Sequence, residues 1–191
     1  MTIEVGMVDE KVPFAHAPNA IDDGENVTAN DFWALLGQRV VGSTIVTVDG
    51  AGGPAGFLGL SASHVTSTPP TMVVSIDGKT SACAEIRRQR RFAINYLPAT
   101  SQNLVDLFSG KAGVKGASRF SEGDWTSLKT GCPIYRDALG AADCQVEEIF
   151  DRHGVAIVLG RVVATMIKED GIPLVHYHGR IVAFDQNGIT I

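Results

Sequence analysis

Hydroxyl side chains crowd two short stretches of this chain, and a lone lysine stands beside the second. Ser61, Ser63, Thr66 and Ser67 fall between two apolar runs and stop at Pro69-Pro70, while Thr80 and Ser81 come directly after Lys79. Strands that bring the two stretches together would build a pocket rich in donors, suited to an anionic ligand tail. A third candidate lies near the end, where His176-Tyr177-His178-Gly179-Arg180 combines two imidazoles with a guanidinium. Read as one strand over 174–184, it puts His176, His178 and Arg180 on one face and Tyr177 on the other. A metal site there needs a third and a fourth ligand, and nothing is spaced to supply them. The segment is then either a packed or surface histidine pair or a contact to a phosphate-bearing nucleotide. For the latter, Gly179 permits close backbone approach and Arg180 suits phosphate.

Other chemistries fit poorly. Gly50-x-Gly52-x-x-Ala55 formally meets the loose dinucleotide fingerprint, but Pro54 and a Phe-Leu-Gly-Leu strand follow where a helix should open. Gly78-Lys79-Thr80 looks like the end of a P-loop, yet Val73 stands where its first glycine belongs. A lysine beside helix N-terminal amides still suits a phosphate. There is no Gly-x-Ser-x-Gly elbow and no carboxylate pair set up for acid–base work, so Ser61 is a poor nucleophile.

A net charge of -5 argues against a nucleic-acid groove. The basic run Arg87-Arg88-Gln89-Arg90-Arg91 reads as a solvated helix face or subunit edge, with anion or partner binding as the alternative. Cys83, Cys132 and Cys144 are too scattered for a disulfide framework or structural zinc and read as reduced, mostly buried thiols. With 45% hydrophobic and 19% charged residues, neither disorder nor a membrane class is indicated. No apolar run approaches the ~20 residues of a membrane span, and the start lacks the pattern of a secretory signal. The expectation is a cytoplasmic protein.

These groups must be positioned by a mainly β framework. Residues 1–27 show no period and read as an N-terminal arm, leaving 28–191 as one domain. Thr28 and Asp31 predict a helix start that Gly37 ends. Strands are predicted over 40–48 and 55–60 around a glycine-rich hairpin, then over 71–76, the last buried on both faces. Thr80 caps a helix to about Gln89 with Cys83 and Ile86 inward; a strand over 92–97 follows, and Thr100 caps a helix over 101–108. Residues 110–131 read as a long functional loop. Strands over 144–150, 155–167 and 174–184 complete a closed antiparallel barrel with two or three short helices.

The order and spacing of these pieces resemble the flavin reductase family. The likeness spans residues 42–184. It runs from the hairpin opened by Gly42-Ser43-Thr44-Ile45 through Gly56-Phe57 and the serine-rich loop to Pro69-Pro70, then Arg91-Phe92-Ala93-Ile94-Asn95-Tyr96-Leu97. Gln102 and Phe108, then Arg119-Phe120 with Trp125, Gly131-Cys132-Pro133 and Pro173-Leu174-Val175-His176-Tyr177-His178-Gly179-Arg180 continue it in order. The chain departs from the pattern at Ala62 and Ile181, where the family carries aromatics, and in the displaced histidine of Asp151-Arg152-His153-Gly154.

The resemblance implies a six- or seven-stranded Greek-key split β-barrel with a few peripheral helices, forming a homodimer with flavin near the subunit interface. It implies that Phe57, Leu58, Gly59, Leu60, Ser61 and Ala62 line the isoalloxazine of FMN or FAD. Ser61, Thr66 and the Lys79-Thr80-Ser81 corner would hold the ribityl chain and phosphate, with Phe108 and Arg119 as further contacts. His176, His178, Gly179 and Arg180 would contact NADH or NADPH. The implied reaction is reduction of flavin by NAD(P)H, with reduced flavin passing to a partner monooxygenase. Because the two cofactors carry the chemistry, no catalytic acid or base is required. A flavin-binding electron-transfer protein without turnover, or a reductase of a non-flavin acceptor such as a corrinoid, are the alternatives.

Overall fold

The computed structural model describes residues 27–185 and 188–190, so the expected arm lies outside it apart from Val27. Thr28 starts the first helix, α1 (Ala29–Leu36), through a capping box. Its hydroxyl accepts from the Asp31 amide, and the Asp31 carboxylate accepts from the Thr28 amide. Then come β1 (Val41–Gly42), β2 (Thr44–Gly50), β3 (Gly53–Leu58), β4 (Ser63–Ser67), β5 (Pro70–Asp77), α2 (Ser81–Gln89), β6 (Arg91–Tyr96) and α3 (Gln102–Phe108). The remainder is β7 (Trp125–Ser127), β8 (Pro133–Tyr135), β9 (Gly140–Arg152), β10 (Val155–Ile167), β11 (Leu174–Tyr177), β12 (Arg180–Asp185) and β13 (Gly188–Thr190).

Seven strands form one antiparallel sheet in the order β3-β2-β6-β9-β10-β5-β4. Its two edges, β3 and β4, are separated in the chain only by residues 59–62, so the sheet has to curl until its edges approach at that corner. Ser61 fastens that corner to β5. Its hydroxyl donates to the Ser75 carbonyl at 3.1 Å and accepts from the Ser75 amide at 3.0 Å. A second sheet, β1-β11-β12-β13, splits away from the barrel. Three backbone bonds join the two: Ser43 donates to Leu174, Leu174 to Leu97, and Leu97 to Ser43. The expected split β-barrel is therefore the observed one.

Strand alternation sorts the apolar residues into two cores. Val46, Val48, Val74, Ile76, Phe92, Ile94 and Val158 fill the barrel, which α2 closes with Ala82, Cys83 and Ile86. Ile45, Leu97 and Leu174 face the other way onto Leu104, Val105 and Phe108 of α3. Gly160 is required by close packing, since a Cβ there would sit 2.5 Å from the Phe92 ring. Helix α2 starts as expected, with the Thr80 hydroxyl accepting from the Cys83 amide at 3.1 Å.

Several expectations need correction. The serine-rich loop is in fact strand β4, paired to β5 and exposed along its whole length. The strand expected over 174–184 is a hairpin: β11 turns into β12 at His178-Gly179, both at positive φ (50° and 70°). Two successive residues in that region make the tight turn whose twist suits paired strands. Thr100 caps nothing; it lies in a short 3-10 turn, Ala99–Ser101, ahead of α3, and the Ser101 hydroxyl meets that of Tyr135 at 3.1 Å. Strand β5 is not buried on both faces, for Thr71, Val74 and Ile76 are buried while Met72 and Val73 are only half-covered.

Candidate functional site

The hairpin turn redistributes the side chains that a single strand would align. Directly opposed residues of a pair share a sheet face, and here Tyr177 stands opposite Arg180 and His176 opposite Ile181. Arg180 therefore shares a face with Tyr177, not with His176, and His178 projects from the turn itself. This corrects the expected common face of His176, His178 and Arg180. The Tyr177 and His178 rings meet edge to face with centroids 4.3 Å apart. His178, Gly179 and Arg180 are exposed, whereas His176 and Tyr177 are half-buried.

Helix α1 is tied to this turn through its end. The Gly37 amide closes the last turn of the helix onto Trp33 and Leu35, and the Gly37 carbonyl accepts from the His178 amide at 2.9 Å. A cavity of about 240 Å³ lies between them, lined by Trp33, Leu36 and Arg39 from α1 and its exit, by Leu60, and by His176 and His178. A second cavity of about 360 Å³ shares Tyr177 and His178 and adds Arg180 and Val182. The hairpin tip thus stands between two concave surfaces. Through Leu60, the corner at 59–62 forms part of the wall of the smaller one.

Around that corner the expected residues divide. Phe57 packs on the barrel core and Leu58 on the α3 core. Gly59 is locked: its amide donates to the Thr44 carbonyl at 2.8 Å, the Thr44 hydroxyl donates to its carbonyl, and a Cβ would lie 2.6 Å from Val46. Ala62 is half-buried against the barrel core, and Ser61 holds β5. Thr66 is exposed on β4, its hydroxyl accepting from the Thr68 amide at 3.2 Å. Ser61 precedes β4, whose partner β5 runs straight into the Lys79-Thr80-Ser81 corner. The corner at 59–62 and the start of α2 are thus linked through β5.

At the start of α2, Lys79 is exposed and takes part in none of the ion pairs among the described residues. The Thr80 hydroxyl is already committed, donating to Asp77 while it caps the helix. The Asp77 carboxylate accepts from the Lys79 amide at 2.9 Å. That leaves the lysine charge and the exposed Ser81 as the groups with capacity to spare for a phosphate.

Phe108 and Arg119 stand apart from these surfaces. Phe108 is buried in an aromatic group with Phe120 and Trp125, and the Arg119 guanidinium lies 5.0 Å above its ring. Burial lowers the Arg119 pKa. They reach β3 through Leu58, which packs on the same cluster as Phe108, and at Gly56, where a Cβ would come within 3.1 Å of the Phe108 ring.

Three buried side-chain atoms lack a hydrogen-bond partner among the described residues, Ser43 Oγ, Arg91 Nε and His176 Nε2, and only the last lines the smaller cavity. Burial, followed by the charge of Lys111, lowers the His176 pKa. The neutral imidazole is thus favoured at the cavity wall. Among the described residues, no group of three or more His, Cys, Asp or Glu side chains is placed to hold a metal ion. Sequence reasoning missed Trp33 and Arg39. The available signal was Trp33 with Leu36 and Gly37, at the three- and four-residue spacing of one helix face.

Comparison with known proteins agrees with this architecture. The model of the flavin reductase like domain matches residues 38–185. FMN reductase (NADH) RutF 2 of Rhizobium rhizogenes is 37% identical over 150 residues, covering 78% of this chain and 84% of that one. FMN reductase (NADH) RutF of Pantoea ananatis is 31% identical over 179 residues, covering 94% and 90%. Among solved structures, nitrilotriacetate monooxygenase component B from Mycobacterium thermoresistibile superposes with a TM-score of 0.75 at 26% identity, covering 85% of this chain and 89% of that one. With its split barrel and a match over most of its length, the chain belongs to the flavin reductase like domain family.

Proposed function

We propose that the protein is an NADH:FMN oxidoreductase that passes reduced flavin to a separate monooxygenase component. One observation carries this reading: Leu60 places the corner at 59–62 on the wall of the cavity built by the His176–Arg180 hairpin. The segment that would meet a flavin ring and the segment that would meet a pyridine nucleotide therefore adjoin. The donor set also fits a flavin mononucleotide. Lys79 and Ser81 offer an unpaired charge and a hydroxyl to a phosphate, and Thr66 adds a hydroxyl along exposed β4. NADH preference and FMN are supported by the two relatives named as NADH-dependent FMN reductases. The release of reduced flavin to a partner is supported by the monooxygenase-component neighbour.

In this reading a bound flavin would supply the chemistry, as acceptor of a hydride from the reduced nicotinamide. The chain contributes binding and alignment. Leu60 and the neighbouring backbone form a low apolar wall, the neutral His176 and the turn at His178-Gly179 bound the space facing it, and Arg180 supplies positive charge for a nucleotide phosphate. Nothing in this scheme requires a proton to be moved by the protein.

A homodimer is part of the same proposal. An apolar groove of about 460 Å³, lined chiefly by Met72, Tyr96, Leu139, Met166 and Ile167, lies on the barrel surface, and Ile167 is 78% exposed. Coverage by a second copy suits such a surface.

Anaerobic assays with NADH and NADPH against FMN, FAD and a corrinoid test the function. Rapid NADH oxidation with FMN is expected. Corrinoid reduction without flavin turnover, or flavin binding with no turnover, would replace this reading with one of its alternatives.

A further inference from the structure

We propose that the end of α1 forms a subsite for the adenylate half of the pyridine nucleotide, with Trp33 stacking on the base and Arg39 facing the phosphates. This rests on the reductase reading above. The matched family domain begins at residue 38, so Trp33 lies outside it. The α1 helix buries none of its own residues, and Trp33 is 67% exposed. An amphipathic helix of eight residues that covers no core is not held in place by burial. Among the described residues it is tied to the fold at its end, where the Gly37 carbonyl accepts from the His178 amide at 2.9 Å. The same cavity lining puts Trp33 beside the hairpin tip that the functional reading assigns to the nucleotide.

Three walls meet at the 240 Å³ cavity: the corner at Leu60, the hairpin at His176 and His178, and α1 with Trp33 and Arg39. Hydride transfer requires nicotinamide against flavin, which commits the Leu60 corner and the hairpin to those two rings. The third wall is left for the rest of the dinucleotide, which carries a second flat base and two phosphates. A large indole and an exposed guanidinium match those two groups. A flavin ring presents the same chemistry as adenine, so the test must separate them.

Steady-state kinetics on Trp33→Ala should show the KM for NADH raised about tenfold, with kcat and the KM for FMN unchanged. Trp33→Phe should stay near wild type, because it keeps an aromatic face. ADP-ribose should compete with NADH in the wild type, and its inhibition constant should weaken by the same factor in Trp33→Ala. ADP-ribose should also quench tryptophan fluorescence in the wild type and lose that quenching in Trp33→Phe. This reads the contact even where the alanine variant folds poorly. An active Trp33→Ala enzyme with unchanged KM for NADH and unchanged ADP-ribose inhibition overturns the subsite alone. A rise in the KM for FMN instead assigns Trp33 to the flavin and equally overturns it. A wild type that does not oxidise NADH with FMN overturns the functional reading, and the subsite with it.

Discussion

Asn95 and His176 are both polar side chains enclosed by strands, and they are treated in opposite ways. Asn95, next to the end of β6, is fully buried. Its amide nitrogen lies within bonding distance of the Ile45 carbonyl (3.1 Å), the Thr47 hydroxyl (3.3 Å) and the Pro133 carbonyl (3.4 Å), and its oxygen accepts from the Tyr135 amide at 2.8 Å. Thr47 donates to Pro133 at 2.5 Å, so one asparagine and one threonine pin β8 across β2 and β6. His176 sits at the cavity wall with Nε2 unpaired. Around Asn95, hydrogen-bonding capacity is spent within the protein, although Arg91 Nε on the same strand is left without a partner; at the hairpin and the start of α2, capacity is left over beside open space. Buried groups with no partner are costly, so spare capacity beside a cavity points toward a ligand.

The largest effect expected from this contrast is structural. Asn95→Leu strips the Tyr135 amide and the Pro133 and Ile45 carbonyls of a partner at once. Urea denaturation should show a loss of about 3 kcal/mol, while the KM for NADH of the folded fraction stays near wild type. A change in KM with stability intact would dissolve the distinction. At the hairpin the pattern reverses: Arg180→Ala should leave the urea midpoint unchanged and raise the KM for NADH by about tenfold.

The distinction was only partly visible in the sequence. Thr28 with Asp31, Thr80 ahead of Cys83, and the turn before β3 all announced themselves, because capping and tight turns depend on neighbours in the chain. Strand β4 read as a loop because its hydroxyl residues face solvent on a barrel edge, so no apolar alternation marks it. The β11–β12 turn was hidden because the apolar-and-histidine run around His178-Gly179 carries no Pro, Asn or Asp to mark it, leaving Gly179 as the turn signal. The first residues of β9 went unseen because Gly140-Ala141-Ala142 lacks bulky residues, yet they lead into the buried Asp143, whose carboxylate accepts from the Thr130 amide and hydroxyl. The hairpin and Lys79 were found by residue type. Trp33 and Arg39 were not, since their place at the cavity depends on tertiary contact such as the bond between Gly37 and His178.

Two smaller effects concern the rim of the site. Lys79→Ala should weaken FMN binding about fivefold, less so at high salt, and leave riboflavin binding unchanged, because only FMN carries the phosphate. Equal losses for both would move the phosphate elsewhere. His176 should make stability pH-dependent. Its native pKa lies below the ordinary 6.5, so below that pH the unfolded chain takes up a proton that the native one resists. The His176 contribution is fully present above about pH 6.5 and declines as pH falls toward the native pKa. A urea series across that range should show the decline in the wild type and a flatter profile in His176→Gln.

The central claim, that this chain aligns NADH and FMN for direct hydride transfer, is met most directly by anaerobic stopped-flow mixing of the purified protein with both. The flavin's visible band should bleach at a rate proportional to enzyme, with one NADH consumed per flavin reduced. Bleaching no faster than the uncatalysed reaction, at any enzyme concentration, would contradict it.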